Sequence, residues 1–217
     1  GQWIHLAATR DTANKKWKLY IDGNLFGTYT YTNQATGGTS SEVNIGNDPG
    51  IASEAFDGMI DEVKIYDYAL TPREVTQVMV GSRPVVTERT SSPGSMVGYW
   101  PLDEGYGTTA TDSSGRGNDG TLTGSTGTMW TNSGKFGKAV TFDGTGDYIE
   151  IASDASFPDA AEPRTISLWF NTDTFDTGYG DTIFTYYGNG GAGNGEEFYL
   201  FAEDNAVSVG FNGHRLI

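Results

Sequence analysis

Apolar and polar residues alternate with a period of two along most of the chain, which is the pattern of half-buried β-strands. The alternation is clear in residues 17–21, and Asp22-Gly23 follows as a hairpin turn signal. In residues 59–66 a local irregularity directs Ile60, Val63 and Ile65 towards the core. The same pattern predicts strands at residues 3–8, 42–46, 97–100, 139–142, 148–151, 165–170, 182–186, 197–201 and 206–211.

The sequence signals one helix, which begins after Leu70. Thr71 can cap it, Pro72 suits its first position, and Glu74 completes a capping box with Thr71. We expect this helix to end near Gly81. Many regularly spaced strands with a single short helix predict an all-β fold built as a two-sheet sandwich.

Composition and charge narrow the class of protein further. The 217 residues suffice for one large sandwich, and 31 glycines are typical of short strands joined by tight turns. A net charge of −15 repels phosphate backbones, so nucleic acid is excluded as a partner, while such a surface suits divalent cations. No run approaches the ~18 apolar residues of a membrane span, so no membrane insertion is expected. Without cysteine, the chain has neither disulfides nor thiol chemistry.

Four segments carry recognisable motifs: GQWIHLA with LYIDG at residues 1–7 and 19–23, FDGMIDEV at 56–63, YWPLDEG with DSSG at 99–105 and 112–115, and FDGTGDYI with ISLWF at 142–149 and 166–170. Together they resemble the laminin-G-like domains of bacterial and archaeal surface proteins, within the concanavalin A-like superfamily. The resemblance implies a concanavalin A-like jelly-roll sandwich.

The order of these motifs differs from that of the family. Motifs of its closing strand and terminal helix occupy residues 1–80, and motifs of its opening strand occupy residues 96–217. Residues 81–95, rich in Pro, Ser, Thr and Gly, are predicted to be a linker. The segment is therefore expected to hold the back half of one sandwich and the front half of the next, cut in mid-domain. A tandem array is favoured, and a circular permutant or a truncated chain whose halves pair between chains are the alternatives.

The resemblance also implies a structural calcium ion, with Asp61, Asp112 and Asn118 at positions where the family often holds one. Calcium prefers six to eight oxygen ligands, and glycine-rich loops allow backbone carbonyls to join the carboxylates. The alternative is structural: Asp112 caps a turn, and Asp61 meets a buried backbone group or an arginine.

Aromatic residues are the candidates for ligand binding. Trp169, Tyr186 and Tyr199, with Tyr179 and Tyr187, are predicted to line a concave sheet and to stack on sugar rings. Core packing is the alternative for each of them, because half of the residues of every strand in a sandwich face inwards.

Catalytic chemistry is not expected. His5 lies in a family-like Trp-x-His motif, which favours a structural role, and His214 is the only other histidine. Asp103-Glu104 and Glu196-Glu197 are adjacent carboxylates, which on strands point to opposite faces. A glycosidase instead needs two carboxylates facing each other across a cleft.

We therefore expect a non-catalytic, extracellular or cell-surface module of a multidomain surface protein. Its partner would be a glycan or another surface protein, bound in adhesion. Two alternatives stay open: a structural subunit of a filament in which neighbouring copies exchange half-sandwiches, and an accessory carbohydrate-binding module of a polysaccharide-degrading enzyme.

Overall fold

The computed structural model describes residues 1–32, 41–47, 55–81, 95–124, 129–159, 162–173, 181–188, 198–203, 206–211 and 214–216. In these ranges sixteen strands form two antiparallel sheets of eight strands each, and one helix lies beside them. The predicted all-β sandwich with one short helix is confirmed. We call the sheets A and B, the face that each turns towards the other its inner face, and the opposite face its outer face.

The strands of sheet A are β1 (Ile4–Asp11), β2 (Lys16–Ile21), β3 (Asn24–Thr30), β5 (Asp57–Tyr66), β6 (Met96–Trp100), β9 (Trp130–Thr131), β10 (Ala139–Asp143) and β12 (Arg164–Asn171). Their order in the sheet is β3-β2-β1-β12-β5-β10-β9, and β6 pairs with the C-terminal part of β5, beyond the part that pairs with β10. The predicted hairpin joins β2 to β3, with Asp22 and Gly23 both at positive φ.

The strands of sheet B are β4 (Ser41–Ile45), β7 (Thr109–Ala110), β8 (Gly120–Thr123), β11 (Tyr148–Ile151), β13 (Asp181–Gly188), β14 (Phe198–Glu203), β15 (Ala206–Phe211) and β16 (His214–Leu216). Their order in the sheet is β16-β15-β14-β13-β4-β11-β8-β7.

The two blocks of sequence on either side of the predicted linker are interleaved in both sheets. In sheet A, β12 lies between β1 and β5, and in sheet B, β4 lies between β11 and β13. The described strands of the two blocks thus pair with one another within one chain, in a single two-sheet sandwich. Most of the predicted linker, residues 82–94, lies outside the described residues.

The core lies between the inner faces of the two sheets. In sheet B, Ile45, Phe184 and Leu200 stand directly opposite one another on neighbouring strands, and all three are fully buried. Sheet A meets them with inward residues such as Leu168 and Phe170. Continuous apolar rows of this kind remove large side chains from water, which is the main stabilising contribution in such a fold.

The irregularity predicted in β5 is a bulge opposite β12. Its register shifts between Ser167 and Trp169, and Glu62 adopts a φ of +57°. The extra residue restores the inward direction of the strand, so Ile60, Val63 and Ile65 are all fully buried, as predicted.

The helix α1 (Pro72–Met79) begins as the sequence predicts. The Glu74 amide donates to Thr71 Oγ1 at 3.3 Å, and the Thr71 amide donates to Glu74 Oε2 at 2.7 Å, which completes the capping box. Val75 and Val78 pack with Tyr20 against the outer face of sheet A. Within the described ranges no helix is long and apolar enough to cross a membrane.

Candidate functional site

The loop around Asp112 holds two of the three predicted calcium ligands. The Asp112 carboxylate accepts hydrogen bonds from the backbone amides of Tyr99, Ser114 and Asn118 and from the Ser114 hydroxyl, at 2.7 to 3.0 Å. Burial opposes its ionisation, but the hydrogen bonds from Ser114, Tyr99 and Asn118 outweigh burial and lower the pKa of Asp112. The carboxylate therefore ties the opening strand β6 to its following loop.

Asn118 is held in the same loop by its own contacts. Its side-chain amide donates to the Val97 carbonyl at 3.0 Å and to Ser156 Oγ at 3.1 Å. Its backbone carbonyl accepts from the Trp100 indole at 2.9 Å. Since Trp100 is fully buried, its indole N–H would have no hydrogen-bond acceptor without this carbonyl.

Asp61, the third predicted ligand, makes different contacts. It is fully buried on β5, and its Oδ2 accepts from the Phe136 amide at 2.9 Å. Its Oδ1 has no hydrogen-bond partner. Burial raises the pKa of Asp61 to about 7, against the opposing hydrogen bond from the Phe136 amide, and the charge of Glu62 adds a smaller rise.

The predicted calcium ligands therefore fit a cation only in part. A carboxylate offers about four lone-pair sites, and four protein donors already engage Asp112. Asp61 alone retains a carboxylate oxygen without a partner. In the described part of the chain, no group of three or more His, Asp or Glu residues is arranged to hold a metal ion. Calcium binding stays a prediction.

The structure separates the three predicted ligand-binding aromatics into different layers. Trp169 is on the outer face of sheet A, beneath Lys135 Nζ at 4.0 Å from its ring centroid and beside the His5 ring. Tyr186 is fully buried in the core between the sheets. Tyr199 lies on the outer face of sheet B and is half-buried. They do not line one surface, and Tyr179 and the side chain of Tyr187 lie outside the described residues.

Tyr199 belongs to a row that the strand register places across sheet B. The row crosses the neighbouring strands β11, β4, β13, β14 and β15. On these strands, in that order, the residues directly opposite one another are Glu150, Asn44, Thr185, Tyr199 and Gly210. We call it the sheet B row. It could not be found from the sequence, because its members come from five segments whose pairing is set only by the fold.

Three features distinguish the sheet B row from an ordinary sheet face. Asn44 Oδ1 and Thr185 Oγ1 are buried and have no hydrogen-bond partner. Phe201, two residues beyond Tyr199, stacks with it at a centroid distance of 5.2 Å and an interplanar angle of 15°. Gly210 presents no side chain opposite Tyr199. The row thus combines an aromatic platform with unused polar oxygens.

The outer face of sheet A carries a second polar group of residues, around Trp169. His5 Nε2 and Ser167 Oγ are 2.9 Å apart, while His5 Nδ1 is buried without a partner. Burial, followed by the charges of Lys64 and Lys135, lowers the pKa of His5 to about 3. His5 is thus a neutral, packed side chain, in line with the structural role expected for it.

The remaining acidic candidates serve structural contacts where they are described. Asp103 Oδ1 accepts from the Lys138 amide at 2.7 Å, and Glu104 Oε1 accepts from the Thr111 amide at 2.8 Å. Both carboxylates therefore join loops to one another. Glu196 and Glu197 lie outside the described residues.

Two facing antiparallel sheets with one capped helix on the outside define a β-sandwich domain of the jelly-roll kind. Residues 1–76 match the family model of the concanavalin A-like lectin/glucanases superfamily. The match covers the first 76 of the 217 residues, and the two-sheet sandwich of the described strands is consistent with a concanavalin A-like fold. No curated protein and no solved structure matches the chain.

Proposed function

We propose that this domain is a non-catalytic binding module that takes a neutral glycan on the sheet B row, as part of an extracellular surface protein. The observation that carries the proposal is the row itself, in which Tyr199 adjoins the unpartnered oxygens of Asn44 and Thr185. The superfamily match supports carbohydrate as the ligand class, since its description covers lectins and glucanases.

The contacts within the sheet B row suit a sugar ring. The apolar face of a sugar packs on aromatic rings, and the half-buried Tyr199, held in place by its stacking on the buried Phe201, offers such a ring. A buried oxygen without a donor costs about 1–3 kcal/mol, and sugar hydroxyls can supply the missing donors to Asn44 and Thr185. Because both residues are buried, ligand entry requires a local opening of this face.

Charge favours a neutral ligand over an acidic one. The chain has a net charge of −15, and the exposed Glu150 lies at one end of the sheet B row. The negative charge of the protein repels acidic polysaccharides, whereas it does not repel neutral glycans.

Strand pairing bears on the alternative of a filament. The two sequence blocks pair with each other within one chain. This pairing supports a self-contained module over a filament built by exchange of half-sandwiches.

Affinity electrophoresis against a panel of neutral polysaccharides tests the site. Tyr199→Ala is expected to weaken retardation by at least about tenfold, since loss of one stacking platform corresponds to roughly 1.4 kcal/mol. Tyr106→Ala is the matched control, because Tyr106 is an aromatic residue with 80% of its surface exposed on a loop outside the row. Equal melting temperatures of the two variants establish that folding is intact.

Retention of wild-type binding by Tyr199→Ala, with loss of binding in Tyr106→Ala, would move the site to the loops. Cleavage of any polysaccharide by the purified domain would contradict the non-catalytic part of the proposal.

We also propose calcium as a structural ligand, with Asp61 as the residue that the contacts favour. Its Oδ1 is the carboxylate oxygen without a hydrogen-bond partner among the predicted ligands. A bound cation would favour the charged form of this carboxyl, whose pKa is raised by burial.

Thermal melting with calcium and with chelator tests this proposal. The melting temperature is expected to be higher in calcium than in chelator, and Asp61→Asn is expected to abolish this difference. Asp112→Asn should lower melting equally in both media, since it removes hydrogen bonds within its loop. Identical wild-type melting in both media, with no metal in the protein by mass spectrometry, would exclude the ion.

A further inference from the structure

Two arginines face each other inside the sandwich. Arg10 and Arg164 are direct partners in the pairing of β1 with β12. Arg10 is two positions from the core residue Ala8, and Arg164 is two positions from the core residue Ile166. Because residues two apart on a strand lie on the same face, both arginines are on the inner face of sheet A. Only 3% of Arg10 and 2% of Arg164 is exposed. Like charges placed opposite each other on neighbouring strands repel, and burial strengthens the repulsion.

The guanidinium groups are only partly satisfied. Arg10 Nη1 donates to the Glu162 carbonyl at 3.3 Å, and Arg164 Nη2 donates to the Asp159 carbonyl at 2.8 Å. Both acceptors are neutral backbone oxygens. Arg10 Nε and both Nε and Nη1 of Arg164 are buried without a hydrogen-bond partner. Three donors of two cations thus lack an acceptor.

Aromatic rings surround the pair. The Arg10 guanidinium lies 5.7 Å from the ring centroid of Trp17 and 5.4 Å from that of Tyr31, and Arg164 lies 4.8 Å from that of Tyr186. Burial lowers the pKa of Arg10, and the neighbouring Tyr31 hydroxyl opposes this shift. Ring faces attract cations, but they do not accept the in-plane N–H groups of a guanidinium.

The acidic side chains that act on the pair are those of Asp159 and Glu162. Neither guanidinium forms an ion pair within the described residues. Glu162 is exposed and Asp159 is half-buried, so that solvent weakens their influence. Burial lowers the pKa of Arg164 to about 10, against the opposing effects of Tyr186, Asp159 and Glu162. Buried charges in proteins are normally paired, and within the described ranges neither arginine has an acidic side chain at ion-pair distance.

We propose that a small monovalent anion of the chloride class binds between Arg10 and Arg164 at this end of the core. It would accept from the unpartnered Nε and Nη1 groups and would neutralise one of the two facing charges. A halide suits the surrounding rings of Trp17, Tyr31 and Tyr186 better than a multiply charged anion, because the desolvation cost of an ion rises steeply with its charge. A doubly charged oxyanion such as sulfate therefore costs far more to bury.

Thermal melting in chloride tests the site. Sodium chloride is increased while sodium gluconate is decreased, so that ionic strength stays constant. The wild-type melting temperature should rise by about 5 °C at chloride concentrations around a hundred times the dissociation constant. Arg164→Gln should lose this rise. Arg116→Gln should keep it, since Arg116 is exposed and its replacement removes the same formal charge elsewhere. A flat wild-type curve, or an equal slope in Arg164→Gln, overturns the proposal.

A second measurement covers the case in which Arg164→Gln does not fold. Wild-type crystals grown in sodium bromide should show an anomalous peak between the two guanidinium groups. Ordered water at that position without anomalous signal, or a carboxylate of a neighbouring copy bound there, overturns the proposal. Neither outcome bears on glycan binding at the sheet B row, which is on the other sheet.

Discussion

Replacement of Gly46 by alanine is expected to destabilise the domain by roughly 2–5 kcal/mol, the combined cost of a left-handed backbone and of overpacking. Gly46 follows β4 with a φ of +89°, where side chains are strained. A Cβ built there would lie 2.2 Å from two ring carbons of Phe142, which is fully buried on the facing sheet. The Gly46 amide and carbonyl also bond to Ile183 and Phe56, so the backbone is held in place.

Gly146→Ala is the matched control for this prediction. Gly146 has a φ of +98°, and nothing lies within 4 Å of a Cβ placed there. It should cost only the backbone term of about 1–2 kcal/mol. Chemical denaturation of both variants measures the difference, which is the contribution of close packing between Gly46 and Phe142. Equal costs for the two variants would show that Phe142 moves aside freely.

The second large effect concerns pH. The difference in unfolding free energy between wild type and His5→Gln is expected to fall by about 1.4 kcal/mol per pH unit as the pH drops from 6.5 towards 3. Burial, with the nearby charges of Lys64 and Lys135, lowers the pKa of His5 to about 3. A lowered pKa contributes stability that is present above the unfolded value near 6.5 and is lost as the pH falls through the folded value.

The wild-type curve alone would conceal this effect. Burial raises the pKa of Asp61 to about 7, so its contribution is present below the unfolded pKa and is lost as the pH rises through 7. Between about pH 4 and 6.5 the contributions of His5 and Asp61 oppose each other, and wild-type stability should vary little. Urea titrations of both proteins in chelator provide the comparison. Parallel curves for wild type and His5→Gln would show that His5 is not held neutral.

Local order in this protein can be predicted from the sequence wherever neighbouring residues decide it. The capping box of Thr71 and Glu74 is a contact between residues three apart, and the structure contains it. The Asp22-Gly23 hairpin is equally local, because its positive φ angles depend on those two residues. The alternation of residues in β5, together with its irregularity, was sufficient to predict that Ile60 and Val63 point into the core, where both are fully buried.

The candidate sites were less predictable, because alternation assigns residues to two faces without telling which face is inner. Tyr186 and Tyr199 are similar aromatic residues in neighbouring strands, yet one lies in the core and the other on the outer face. A bulge between Thr182 and Phe184 shifts the pairing of β13 with β14, and such a shift changes which residues stand opposite each other.

The sequence by itself determined the strands, the one capped helix and the apolar stripes, since each depends on residues a few positions apart. Only the tertiary structure decided which strands are neighbours. It placed Asn44 beside Thr185, and Arg10 opposite Arg164, across more than a hundred residues of chain. The physical reason is that strand pairing depends on burying apolar faces from distant segments together, and this condition involves the whole chain.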